Sequence, residues 1–337
     1  MIKKVYLVPG CLLLLIACSK EIISRFEGFK KPVDFPAPVY NFANNEITQP
    51  KFELGRKLFF EPRLSRNNTI SCGSCHIQSS AFTQHGHDVS HGIDDRLGTR
   101  NSPPIMNLAW MPTFFWDGGV FDLDLQPFVP ITNHVEMDET VPNVLIKLRN
   151  HPQYPGLFQK AFGDTTITTV RLMKALSQFM LLCISDEAKY DSVVRHKSAT
   201  FSAQEQRGYE LFKQKCNSCH KEPLFTDFSF RNNGIAIGPN NDEGRYLVTL
   251  NEADKYKFKV PSLRNVEFTG PFMHDGRFIT LDAVLDHYRQ GIHQTPNLDP
   301  LVTAGIPLTD AEKYDLIAFL KTLSDRKFIT DKMLAEQ

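Results

Sequence analysis

Cys72-Gly73-Ser74-Cys75-His76 and, 144 residues further on, Cys216-Asn217-Ser218-Cys219-His220 decide how this chain of 337 residues is read. Each follows a stretch of helical spacing that carries a glycine and aromatic side chains. Before the first stands Phe52-Glu53-Leu54-Gly55-Arg56-Lys57-Leu58-Phe59-Phe60, and before the second Gln206-Arg207-Gly208-Tyr209-Glu210-Leu211-Phe212. A local pattern met twice predicts two copies of one module. Two thiols three residues apart, followed at once by an imidazole, suit covalent attachment of a haem: the cysteines add to its vinyl groups and the histidine ligates its iron. Zinc needs four converging ligands, which two pairs so distant in the chain do not supply by spacing. A thioredoxin-like redox pair needs a βαβ context, and none is visible. Cys183, in an apolar helical stretch, reads as a buried thiol.

Working outward, hydrophobic residues make up 42% and charged residues 23% of the chain, as in a folded globular protein, and the length suits two domains. Lys+Arg and Asp+Glu number 38 each, so no basic surplus exists to release counterions from a phosphate backbone, and nucleic acid is excluded as a partner. The N-terminus has a signal-peptide layout: Lys3 and Lys4, then the apolar run Leu12–Ala17, too short for the roughly 20 residues that span a bilayer. It ends Leu15-Ile16-Ala17-Cys18, which resembles a bacterial lipobox; the plainer alternative is a signal peptide with an incidental Cys18. The expectation is an exported chain on the periplasmic side, tethered to a membrane only through a lipid on Cys18 after removal of residues 1–17.

Residues 18–50, with Pro32, Pro36, Pro38 and Pro50, read as a tether and lead-in segment. Helical spacing marks 52–60, 141–150, 168–184, 280–290 and, most clearly, 309–323, where Thr309 and Glu312 form a capping box. Ser202 with Glu205 announces another helix over 203–215. Between 65 and 138 the chain is dense in Gly, Pro, Asn and His, a poor core by itself and better suited to wrapping a ligand. Residues 225–260 read as loop with short hairpins near Asn240–Gly244. The fold class is therefore mainly α with long loops and few short strands, in two haem domains over 51–165 and 166–337.

What such haems do depends on the sixth position of each iron, which a carrier fills and an enzyme leaves open beneath acid–base groups. His85, His87, His91 and His134 are possible further ligands, each also readable as a surface histidine. Glu136, between apolar neighbours, is a candidate acid–base group whose plain reading is a salt-bridged surface carboxylate.

The pattern resembles the bacterial di-haem cytochrome c peroxidase / MauG family from about Leu54 to Leu323. The likeness rests on both haem motifs and on Gly98-Thr99-Arg100-Asn101-Ser102-Pro103, Phe115-Trp116-Asp117-Gly118, Val135-Glu136-Met137, Val260-Pro261-Ser262-Leu263-Arg264-Asn265 and His274-Asp275-Gly276. It implies two cytochrome c-like domains: an N-terminal one whose His76 haem meets peroxide, and a C-terminal one whose His220 haem passes electrons. It further implies Glu136 as the distal acid–base group, Gln126 beside it, Trp116 between the haems, and a calcium ion held by Asn101 with the carbonyls of Thr269 and Pro271. Two positions depart from the peroxidases. The histidine that caps the first iron there falls on Ile93 here, with His91 two residues away. The methionine on the second iron falls on Tyr288, as in MauG, with His287 and Met273 as rivals; tyrosinate favours oxidised iron. The leading expectation is reduction of hydrogen peroxide to water with electrons from a small cytochrome or cupredoxin. The alternatives are a MauG-like oxidase acting on a protein side chain and a non-catalytic di-haem carrier; a homodimer is compatible with all three.

Overall fold

A computed structural model describes residues 26–337. The expected signal peptide over 1–17 and the lipid-bearing Cys18 lie outside the described residues. In chain order the helices are α1 (Gln49–Phe59), α2 (Cys72–Cys75), α3 (Phe128–Thr132), α4 (Val141–Asn150), α5 (Tyr154–Phe162), α6 (Thr169–Leu181), α7 (Lys189–Val194), α8 (Ala203–Lys215), α9 (Tyr246–Thr249), α10 (Leu281–Gln290) and α11 (Asp310–Lys321). Two short strands, β1 (Phe230–Arg231) and β2 (Phe258–Lys259), pair antiparallel with Phe230 opposite Lys259. The architecture is mainly helical, as the periodicity predicts.

Local chemistry explains the boundaries. Thr309 and Ser202 cap α11 and α8 through the predicted reciprocal bonds to Glu312 and Glu205. α1 starts three residues earlier than its apolar spacing suggests, because Pro50 sits in the first turn, where its missing N–H costs nothing. Helices α5 and α7 are short and have no such signature in the sequence; Gly163, at φ 90°, ends the former. The strands close across a long connection rather than a tight hairpin at 240–244, because Asp242 is drawn away to pair with Arg100.

The repeated glycine has a packing reason. A Cβ on Gly55 would lie 1.9 Å from the carbonyl oxygen of Ala175 in α6, and one on Gly208 would lie 1.9 Å from that of Asp315 in α11. Each pre-motif helix thus presses its backbone on a partner helix, and both modules use the same device. Gly55→Ala or Gly208→Ala is expected to cost about 1–3 kcal/mol by overpacking, read from the midpoint of denaturant unfolding.

Two cores result. In the first, Phe59 meets Phe179 with ring centroids 4.7 Å apart, and Phe82 lies 5.9 Å from each of them. In the second, Phe319 meets Phe212 at 5.1 Å and Phe225 at 6.4 Å. Leu172 to Cys183 belong to the first core, which Leu224, Phe328 and Leu334 also join, and Tyr190 opens the second, so the chain passes to the second core after α6. The reason is the buried face that α6 lays on α1. Phe35 is buried, and Phe26, Phe29 and Phe42 pack on the same core. From Phe26 onward the lead-in segment is therefore packed on this core. Among the described residues, no helix is long and apolar enough to cross a membrane.

Candidate active site

α2 is a single turn. It brings Cys72 and Cys75 round to neighbouring positions and presents His76 at its end, where the His76 N–H bonds the Cys72 carbonyl at 2.9 Å. Nδ1 of His76 lies 2.7 Å from the carbonyl of Phe82, which fixes the tautomer and leaves Nε2 free for a metal. The second motif repeats this. The His220 N–H bonds Cys216 at 3.0 Å, and Nδ1 sits 3.2 Å from the Phe225 and 3.1 Å from the Pro261 carbonyl oxygens. Burial lowers the pKa of both imidazoles and keeps them neutral, the ligating form.

The four motif cysteines are unpaired with one another. Burial pushes Cys72 and Cys216 up to about 12 and Cys75 up to about 11. The motif thiols therefore lack the lowered pKa of an activated redox pair. Cys183 is buried and its thiol donates to the Phe179 carbonyl, as a packing thiol does.

A cavity of about 790 Å³ opens beside His76 and is lined also by Trp116, Gln126 and Glu136. A second, narrower space of about 60 Å³ joins Cys72, Cys75 and His76 to the same Gln126 and Glu136. An imidazole with a free Nε2, two adjacent thiols and an apolar wall including Ile105, Met106 and Phe114 are what a thioether-linked porphyrin requires, so the residues fit the group.

Glu136 follows α3 on a turn, and Asn133 Nδ2 donates to its Oε1 at 2.6 Å. Burial raises the Glu136 pKa, while the Asn133 bond pulls the other way. The plain reading of this carboxylate is excluded, since it makes no ion pair among the described residues and lines the cavity. Its backbone is equally constrained. The Ile93 N–H donates to the Glu136 carbonyl at 2.7 Å, and a Cβ on Gly92 would meet the Val135 carbonyl at 2.0 Å. Asn133 is a residue that sequence reading missed, although its position three residues before the carboxylate was the available signal.

His91 does not reach this cavity. Its backbone carbonyl passes 3.8 Å from the Cys75 sulfur, but its ring turns outward, where Nδ1 lies 2.6 Å from the exposed Asp95 and the ring faces His87. A carboxylate holds this imidazole at the surface, and Ile93 is buried. His85, His87 and His134 are exposed.

Trp116 Nε1 donates to the carbonyl of Asn101 at 2.8 Å. Asn101 in turn donates its N–H to the His274 carbonyl at 2.7 Å and its side-chain amide to Asp88 at 2.9 Å, tying three loops together. Arg100 closes the same junction, with Nη1 2.5 Å from Asp117 and Nε 2.6 Å from Asp242.

On the second motif's far side the three rivals separate. His287 Nε2 is engaged by the Asn233 carbonyl at 3.0 Å. Asn233 Nδ2 approaches both the Tyr288 hydroxyl, at 3.4 Å, and Met273 Sδ, at 3.3 Å. Burial raises the Tyr288 pKa, against the pull of the Asn233 bond. His287 is spent on the backbone, whereas Tyr288 and Met273 share Asn233.

Comparison with known proteins agrees with this geometry. The family described as di-haem cytochrome c peroxidase matches residues 49–199. The chain is 36% identical over 316 residues to the methylamine utilization protein MauG of Methylorubrum extorquens, covering 91% of this chain and 86% of that protein. It is 35% identical over 278 residues to a cytochrome c551 peroxidase of Nitrosomonas europaea, covering 81% and 79% respectively. A crystal structure of a MauG-like protein associated with microbial copper homeostasis superposes with a TM-score of 0.84 at 30% identity, over 91% of this chain and 98% of that one.

Proposed function

The chain belongs to the di-haem cytochrome c peroxidase family and is an oxidoreductase of that class carrying two haem c groups; on that premise we propose how its own residues reduce hydrogen peroxide to water. The observation that carries the reading is that His76, Trp116, Gln126 and Glu136 line one cavity. Cys72, Cys75 and His76 would hold a haem whose iron would supply O–O bond cleavage, and Cys216, Cys219 and His220 would hold one that supplies a second store of electrons.

The protein's part is proton handling, exclusion of water and placement. Glu136 takes the proton from the oxygen of peroxide that faces the cavity floor and returns it to the departing oxygen, which leaves as water. Its raised pKa lets it exist in both protonation states nearer to neutrality than an ordinary glutamate. Asn133 aims the carboxylate, and Gln126 offers an amide beside it to orient the peroxide. Trp116, held through Nε1 by Asn101, couples the two halves. Electrons arrive from a small cytochrome or cupredoxin. A calcium ion at Asn101 Oδ1 and the carbonyls of Thr269 and Pro271 would lock this junction, a role supported by the Asn101–His274 backbone bond that brings the two loops together. Export with a lipid on Cys18, and pairing of two copies, belong to the same reading and rest on the leader sequence and the family alone.

The test is twofold. Electron paramagnetic resonance of the oxidised protein should show one high-spin, open haem beside one low-spin haem, and reduced cytochrome should be consumed with peroxide. Two low-spin haems that bind no cyanide would return the chain to the carrier class.

Tyr288 favours a second reading, a MauG-like oxidase that draws electrons from a protein side chain. Tyr288→Phe is expected to alter the low-spin signal of the second haem and leave the high-spin signal unchanged. An unaltered low-spin signal would assign the ligand to Met273. Peroxide consumed without any cytochrome oxidation, with a protein side chain oxidised instead, would favour this reading over the first.

A further inference from the structure

Lys259 stands at the edge of β2, and its side chain is among the most buried charged groups of the protein, at 6% exposure. It lines the 790 Å³ cavity, yet among the described residues its ammonium pairs with no carboxylate; its one hydrogen bond goes to the backbone carbonyl of Thr113. Two of its three donor hydrogens are therefore uncommitted. The closest acidic candidate is already taken: Asp117 holds Arg100 at 2.5 Å and the Gly119 N–H at 2.9 Å. Thr113, the residue that receives Nζ, also carries a buried hydroxyl with no hydrogen-bond partner, one of two such side-chain atoms among the described residues.

A buried ammonium without a counter-charge costs several kcal/mol, a cost that loss of its proton or an anion beside it relieves. Desolvation, with the help of nearby Arg245 and against the attraction of Asp117, pulls Lys259 down to about 7, so an anion in the cavity would hold its proton in place. The ammonium, on the wall of a porphyrin-sized space and with two donors uncommitted, is placed to take one carboxylate. Trp116 fixes the position of this residue, because its carbonyl accepts the Lys259 N–H at 2.8 Å.

We propose that Lys259 binds a propionate carboxylate of the haem seated in this cavity and thereby raises that haem's reduction potential. The proposal rests on the haem reading above. A cation at the porphyrin edge opposes loss of an electron, so removing it makes the bound haem easier to oxidise.

The holoprotein tests this. Intact mass first counts the haems in wild type, Lys259→Gln, Lys259→Met and Lys259→Arg; equilibrium redox titration at one fixed pH then gives both midpoints. In Lys259→Gln one midpoint should fall and the other stay. Lys259→Arg, which keeps the charge, should remain near wild type. Lys259→Met should lower the same midpoint, and it serves as the readout where Lys259→Gln does not load. Two haems with both midpoints unmoved in Lys259→Gln or Lys259→Met overturns the proposal, as does an equal fall in Lys259→Arg or failure of both charge-removing variants to differ from Lys259→Arg. A wild-type chain without haem would instead overturn the reading beneath it.

Discussion

Glu136→Gln is expected to retain both haems and lose peroxide turnover by about 10²–10⁴-fold, the usual contribution of a positioned acid–base group. Glutamine keeps the size of the side chain and can still meet Asn133 Nδ2 through its amide oxygen, so the cavity should keep its shape. What it cannot do is carry a proton from one oxygen of peroxide to the other. The pH profile adds a second check. Burial raises the Glu136 pKa, so the carboxylate form is lost at a higher pH than for an exposed glutamate. Because peroxide must first surrender a proton to that carboxylate, kcat/KM should fall as the pH drops through this raised value. In Glu136→Gln that acid limb should vanish along with the rate. Full turnover in the variant, with the limb intact, would remove Glu136 from the mechanism.

Arg264→Met is expected to destabilise the fold by about 1–3 kcal/mol, because it strips the bidentate partner from a buried carboxylate and leaves it the Ala188 N–H and Arg195, 3.8 Å away. Arg264 is fully buried and grips Asp191, itself 1% exposed, through two bonds of 2.8 and 2.9 Å. Its Nε donates to the Pro223 carbonyl at 2.9 Å, and its guanidinium stacks 4.8 Å from the Phe35 ring centroid. The pair joins the loop of residues 260–265 to α7. That loop carries the Pro261 carbonyl on which His220 rests, so the loss should be felt at the second haem site as well. Denaturant unfolding of the holoprotein measures the first effect. The double variant Arg264→Met with Asp191→Leu should recover part of the stability, because the penalty lies in a buried carboxylate left with only the more distant Arg195. A single variant within 1 kcal/mol of wild type would show that water reaches Asp191.

Much of the site was readable beforehand because its chemistry is local. A Cys-x-x-Cys-His turn brings two thiols and an imidazole together whatever the rest of the chain does, and the capping boxes of α8 and α11 are four-residue devices of the same kind. The strings around Trp116, Gln126 and Glu136 carried a family resemblance, and the structure gathers all three on one cavity. Asn133 and Lys259 escaped notice for a common reason: an asparagine or a lysine is ordinary on a surface and becomes informative only when it is buried. His91 could not be decided from the sequence for another reason: its side-chain direction depends on Asp95, four residues on, and on a loop with no periodicity to read.

The sequence by itself determined that two porphyrins are attached, where the attachment turns lie, and that helices bear them, because each of these follows from contacts within about five residues. Tertiary structure alone decided where one core ends and the next begins, which way each candidate ligand faces, and that Lys259 is buried with no carboxylate partner among the described residues. Those outcomes depend on surfaces meeting across more than a hundred residues, as when Gly55 admits α6 or Arg100 reaches Asp242. Burial, which sets the proton affinities of Glu136 and Lys259, comes into being only when the distant segments close.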